Sequence, residues 1–171
     1  VNPEKQHLQF YHLNDDGLPL SNAAELKSHL AKKGKKLVFA LNGGMYKRYQ
    51  TPQGLYVQEG KYLFDIDTVQ KAYGNFYMQP NGIFFLTDDK QAVVCPSDRF
   101  DNRKKMAYAT QSGPMLLIDG QMHPKFRQGS KNKYVRNGVG ILPSGAVLFA
   151  ISKSPINFYD FATFFEQKGC R

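Results

Sequence analysis

Apolar and polar positions along this chain change their spacing repeatedly, and each change marks an element. Residues 7–13, HLQFYHL, mix apolar and polar positions in a short run and predict a first strand. DDGLPL then turns. Across SNAAELKSHLAKKG the spacing becomes helical: Leu26 and Leu30 lie four apart, Ser21 or Asn22 offers a cap, Glu25 sits in the first turn, and lysines run up to a stop at Gly34. LVFAL, residues 37–41, is unbroken apolar sequence and predicts a strand in the middle of a sheet.

Four hairpins follow from turn chemistry. GLYVQEGKYLFDI turns at Glu59-Gly60, NGIFFLTDDKQAVVC at Asp88-Asp89-Lys90, MLLIDGQMH at Asp119-Gly120, and GVGILPSGAVLFAIS at Pro143-Ser144-Gly145. NFYDFATFFEQKG is a second helix, capped by Asn157, with Phe158, Ala162 and Phe165 along one face and Gly169 at its end. The expectation is an α+β fold: a mixed, largely antiparallel sheet built from hairpins, with two main helices, in a single domain spanning residues 1–171. A strand followed by an amphipathic helix ordinarily leads to a further strand beside the first. The sequence stops at Gly169-Cys170-Arg171 without one, which reads as a C-terminal truncation or as a helix that closes the fold itself.

Composition narrows the function classes. With 42% hydrophobic residues in 171, the chain can build a sizeable core. It has no apolar run long enough to cross a membrane as a helix. The opening VNPEKQHLQF carries no leader pattern and reads as a mature or trimmed end. A net charge of +9, from 23 basic and 14 acidic residues, favours anionic partners. Much of the excess lies in two runs, Lys32, Lys33, Lys35, Lys36 and Arg99, Arg103, Lys104, Lys105; these are either solvated charge or a patch for an anionic polymer, and no nucleic-acid motif accompanies them. Cys95 and Cys170 are too far apart for a CxxC motif, and one disulfide between them stays open. His7, His12, His29 and His123 lack metal-ligand spacing. No cofactor is required by the sequence, and a divalent cation stays open.

Polar clusters recur where apolar strands begin or end: Asn42-Gly43-Gly44, Gln79-Pro80-Asn81-Gly82, Gln111-Ser112-Gly113-Pro114, Arg136-Asn137-Gly138, and Ser152 to Asn157. Any one is an ordinary turn. Five together, rich in amides and glycine, point to a shared polar site to which backbone can approach closely. Arg136 offers a fork of donors suited to phosphate or carboxylate, or else a surface ion pair. Ser112 lies outside a G-x-S-x-G elbow, so it reads as a hydrogen-bonding contact rather than a nucleophile. Asp160, three residues after Asn157, serves either the helix cap or the site. Glu59, Asp65, Asp67 and Asp101 are further carboxylates with nothing to rank them.

The stretches LVFALNGGMY, TPQGLYVQEGK, GNFYMQPNGIFF, ATQSGPMLLIDG, RNGVGI and AISKSPINFYDFATFFEQKGC run nearly the length of the chain. Jointly they are specific, and in them the sequence resembles the bacterial branch of the phosphodiester glycosidase family (uncovering-enzyme-like domain). The resemblance implies hydrolysis of a sugar 1-phosphodiester, of the N-acetylglucosamine-1-phosphodiester kind. It implies a phosphorylated carbohydrate or anionic glycan as partner, and a periplasmic, cell-surface or secreted setting. By motif match, Asn42, Gly43, Ser112, Gly113, Asn137 and Ser152 would contact substrate, with Arg136 and Asp160 as the catalytic pair. Family members continue past the helix into a strand ending in an Asp-Gly-Ser type motif, which this sequence lacks. The alternatives are a module of the same fold that binds a glycan phosphate or anionic envelope polymer without cleaving it, and a basic structural domain that associates with other proteins.

Overall fold

The computed structural model describes residues 1–102 and 105–170, so Arg103 and Lys104 of the second basic run lie outside the described residues. The fold is α+β, and every strand pairing among the described residues is antiparallel. The main sheet holds β1 (Tyr56–Gln58), β2 (Lys61–Phe64), β3 (Gly82–Thr87), β4 (Ala92–Pro96) and β5 (Met106–Ser112), in the order β2-β1-β5-β3-β4. Two separate hairpins follow: β6 (Leu117–Ile118) with β7 (Gln121–Met122), and β8 (Asn137–Ile141) with β9 (Val147–Ile151). The helices are α1 (Ala23–Lys32) and α2 (Phe158–Gln167). All four hairpins therefore form at the turns that the sequence marks. The cap of α1 is Asn22, whose Oδ1 accepts from the backbone N–H of Ala24 and Glu25, while Glu25 returns a bond to the Ser21 N–H.

Three layers stack on one another. One face of the main sheet, carrying Tyr56, Phe84, Leu86 and Tyr108, packs on the side chains of Val139, Ile141, Val147 and Phe149 from the β8–β9 hairpin. The other face of that hairpin carries Leu148 and Ala150 against Phe161, Ala162 and Phe165 of α2. Two glycines let the helix come this close. A Cβ on Gly138 would stand 3.1 Å from both Phe161 and Phe165, and one on Gly140 would stand 2.8 Å from the Cys170 sulfur and 2.9 Å from Phe165. Alternation of glycine with Val139 and Ile141 thus gives β8 one flat face for a helix and one branched face for a sheet. No disulfide joins Cys95 and Cys170, which lie in different layers.

Behind the main sheet, Leu55, Val57, Ile83, Phe85 and Ala109 pack beneath loops. A polar cluster fastens those loops. Gln111 is fully buried in β5; its Oε1 accepts from the N–H of Leu55 (3.0 Å) and of Asp67 (2.9 Å), and its Nε2 donates to the Asp67 carbonyl (2.8 Å) and to Asn81 Oδ1 (3.2 Å). Asn81 Oδ1 also accepts from the Ser97 hydroxyl, and its Nδ2 donates to the Phe76 carbonyl (3.2 Å). His123 fixes the next loop: its Nδ1 accepts from the Lys125 N–H (3.2 Å), which leaves Nε2–H to donate to the Gln79 carbonyl (3.0 Å), and its ring stacks on Phe126.

Three expectations are corrected here. Residues 37–41 pair with no strand among the described residues, and Val38 is 89% exposed, although the Phe39 ring rests 5.7 Å from that of Phe149. An apolar run is a strand only when an edge is available to receive it. Residues 7–13 cross the sheet face rather than join a ladder: Phe10 is buried there, and the His12 N–H bonds to the Gln58 side chain. Within ATQSGPMLLIDG, the polar half is the strand. Thr110, Gln111 and Ser112 end the central β5, whereas only Leu117 and Ile118 of the apolar half pair.

Replacing Gln111 by leucine removes four hydrogen bonds at little change in volume and leaves the buried Leu55 amide and the partly buried Asp67 amide without partners. The expected loss is about 3 kcal/mol, read from the urea midpoint. Burial also lowers the pKa of His123 from its ordinary 6.5. The unfolded chain therefore takes up a proton that the folded chain refuses. The stability from a neutral His123 is complete above about pH 6.5 and declines as the pH falls from there toward the folded-state pKa. His12 is lowered in the same sense. Urea titrations at about pH 7.5 and pH 5.5 should show the wild type losing stability on acidification, with a smaller loss in His123→Gln.

Candidate active site

Three of the strand-end clusters meet. β5 closes at Ser112, paired with Gly82 of β3, and the chain turns through Gly113-Pro114. A Cβ on Gly113 would lie 2.5 Å from the Phe76 carbonyl oxygen and 2.9 Å from the Asn81 Cβ, so the turn needs glycine to pack on the loop that Asn81 holds. Gly44 lies against the same strand end: its Cβ would meet the Thr110 hydroxyl and stand 2.9 Å from the Gln111 carbonyl. This contact carries Asn42-Gly43 past the end of β5. On the opposite side, β8 begins at Asn137, immediately after Arg136.

These segments border one open cavity of about 1390 Å3. Asn42, Gly43, Ser112, Gly113, Arg136 and Asn137 all line it. Ser152 and Asp160 do not. The Ser152 hydroxyl accepts from the Arg136 N–H (3.0 Å), and its own N–H donates to the Arg136 carbonyl (2.8 Å), so it orders the strand leading into β8. Asp160 completes a reciprocal cap: its N–H donates to Asn157 Oδ1 (2.8 Å) and its Oδ2 accepts from Asn157 Nδ2 (2.9 Å). Of the two roles open to Asp160 in the sequence, the described contacts serve the cap.

Arg136 is half-buried and not a free fork. Its Nε donates to the Ile156 carbonyl (2.9 Å), and its Nη2 donates to the carbonyl (3.1 Å) and side-chain oxygen (2.9 Å) of Asn132. The guanidinium carbon lies 3.5 Å from the centre of the Phe158 ring and 5.5 Å from that of Tyr134. Burial lowers its pKa from the ordinary guanidinium range, and it stays protonated at neutral pH. No ion pair to Arg136 forms among the described residues. The pairing read as one alternative for it is replaced by carbonyl oxygens and a ring face. Asn132 and Phe158 were invisible as site residues: one reads as loop, the other as a helix-face hydrophobe.

The cavity lining is cationic. Lys35 and Lys36, from the first basic run, and Arg136 line it, and among the described residues no Asp or Glu does. Among the described residues no group of three or more His, Cys, Asp or Glu side chains could hold a metal ion. The arrangement offers amides, open backbone at Gly43 and positive charge to an anionic ligand.

Comparison with known proteins bears on the fold and the family. A family model described as phosphodiester glycosidase matches residues 35–171. The uncharacterized protein YigE of Escherichia coli (strain K12) is 32% identical over 168 residues, covering 98% of this chain. The chain spans 65% of the length of that relative. Among solved structures, the catalytic domain of zebrafish N-acetylglucosamine-1-phosphodiester alpha-N-acetylglucosaminidase, auto-inhibited by its pro-peptide, superposes with a TM-score of 0.52 at 17% identity, over 75% of this chain and 47% of that one. The structural match is a likeness of fold. With four-fifths of its length matched by the family model, the chain belongs to the phosphodiester glycosidase family.

Proposed function

We propose that this chain carries the phosphate-holding part of a hydrolase for sugar 1-phosphodiesters, of the N-acetylglucosamine-1-phosphodiester kind. One observation carries the reading: within a phosphodiester glycosidase fold, amide, backbone and guanidinium donors from three separate segments line one cavity with no opposing carboxylate among the described residues. In the reaction, water adds to the anomeric carbon, the bond from that carbon to the phosphate oxygen breaks, and its electron pair leaves with the phosphate ester. Arg136, the Asn42 and Asn137 amides and the N–H groups around Gly43 and Gly113 would take up that charge. The same reading treats residues 1–171 as belonging to one such domain. On family membership it also assigns the protein to an exported compartment, where glycan phosphodiesters of an envelope or secreted glycoconjugate are the substrates.

A second reading is favoured by the same lining. Stabilising an oxocarbenium-like sugar or activating water calls for a carboxylate. No described Asp or Glu lines the cavity, and Asp160 serves its helix cap. A module that holds a glycan phosphate without cutting it needs only the donors that are present.

The wild-type protein is expected to release sugar from a synthetic N-acetylglucosamine-1-phosphodiester, and Arg136→Ala to lose about 100-fold or more in kcat/KM. Saturable binding of that compound with no turnover at high protein concentration would discard the hydrolase and establish the binding module.

A further inference from the structure

The contacts of Arg136 define how it can meet a ligand. Two of its three nitrogens are engaged: Nε by the Ile156 carbonyl, Nη2 by both oxygens of Asn132. One face of the guanidinium lies against the Phe158 ring at 3.5 Å. Phe158 is itself clamped, its ring 5.1 Å from that of Phe126 and nearly parallel at 9°. Phe126 in turn stacks on the buried His123. The base of the loop is closed by the exchange of backbone hydrogen bonds between Tyr134 and Ile156, at 3.2 and 2.9 Å. Only Nη1 has no partner among the described residues, and Arg136 lines the cavity.

We propose that Asn132 and Phe158 are positioning residues that turn Arg136 from a flexible two-pronged cation into a fixed donor presenting Nη1 alone to an oxyanion. The inference rests on the reading of the cavity as a phosphate site, and it adds two residues to that site that act through Arg136. The physical basis is preorganisation. An arginine on a free stem must be ordered when it binds. Here two carbonyls, one amide oxygen and a ring face hold the group before the anion arrives. The occupied edge also removes the bidentate geometry that guanidinium usually offers. The two N–H bonds left on Nη1 diverge, so Arg136 meets a phosphate through one nitrogen rather than through a parallel pair.

The test uses dimethyl phosphate as the probe and follows the Arg136 side-chain nitrogens by NMR of the whole protein. In the wild type, Arg136 Hε should be shifted upfield by the Phe158 ring, its two Nη signals should be separate through hindered rotation, and dimethyl phosphate should move Nη1 more than Nη2. Asn132 is exposed, so Asn132→Ala leaves the core untouched. It removes Oδ1 and leaves the Asn132 carbonyl, so it should speed exchange of the Nη signals and weaken dimethyl phosphate binding by roughly tenfold, the size of one hydrogen bond to a charged group. Phe158→Leu should abolish the upfield shift and weaken binding, and Phe158→Tyr should restore both. Unchanged Nη signals and unchanged affinity in Asn132→Ala would overturn the proposal, as would equal movement of Nη1 and Nη2 on binding. A wild type that binds dimethyl phosphate through Nη1 yet releases no sugar from a phosphodiester sinks the hydrolase reading and supports this one.

Discussion

The constraint on which the structure depends most is the need to satisfy one buried amide. Gln111 sits in the middle strand of the main sheet with no access to water, and all four of its hydrogen bonds run to other segments. Left unmet, each would oppose folding. Met, they tie the loop at Asp67, the start of β1 and the loop at Asn81 to one point. Ser112 and Gly113 follow directly. The polar rim of the cavity is thus anchored to the most deeply buried polar group of the sheet, and because the Asn81 loop is held where it is, only glycine fits at position 113.

A second constraint acts from the far side. β8 must serve a sheet and a helix at once, and it does so by alternating glycine with branched residues. This fixes how the hairpin lies between the layers and therefore where the preceding residue, Arg136, emerges. The helix that presses on those glycines begins with Phe158, the ring beneath the guanidinium. Packing and site share the same few residues, so the cation is held by the core of the outer layer rather than by a loop of its own.

Local rules made much of this legible. The four hairpins were written in Glu-Gly, Asp-Gly, Ser-Gly and Asp-Asp-Lys turns, and both helices in their asparagine caps and terminal glycines. These signals work because they act within four or five residues. What failed was long-range. Thr110-Gln111-Ser112 looked like a loop because buried polar residues make sense only with partners such as Asp67 and Asn81, which are 30 or more positions away. Residues 37–41 looked like a central strand because apolarity reports a wish for burial, not the presence of an edge. At the site, six positions marked by motif line one cavity, while Ser152 and Asp160 are taken up by backbone and cap. Asn132 and Phe158 carried no signal, since their role exists only through the geometry of Arg136.

The apolar run at 37–41 has a consequence for how the molecule behaves in company. An apolar segment with Val38 and Phe39 open to solvent is the kind of surface on which a second chain nucleates a shared sheet. Lys35 and Lys36 stand immediately before it, exposed and of one sign. Two chains aligning in parallel along this run would bring four like charges together at its entrance. The lysines that line the cavity would thus also oppose such self-association, and that repulsion weakens with rising ionic strength as it is screened.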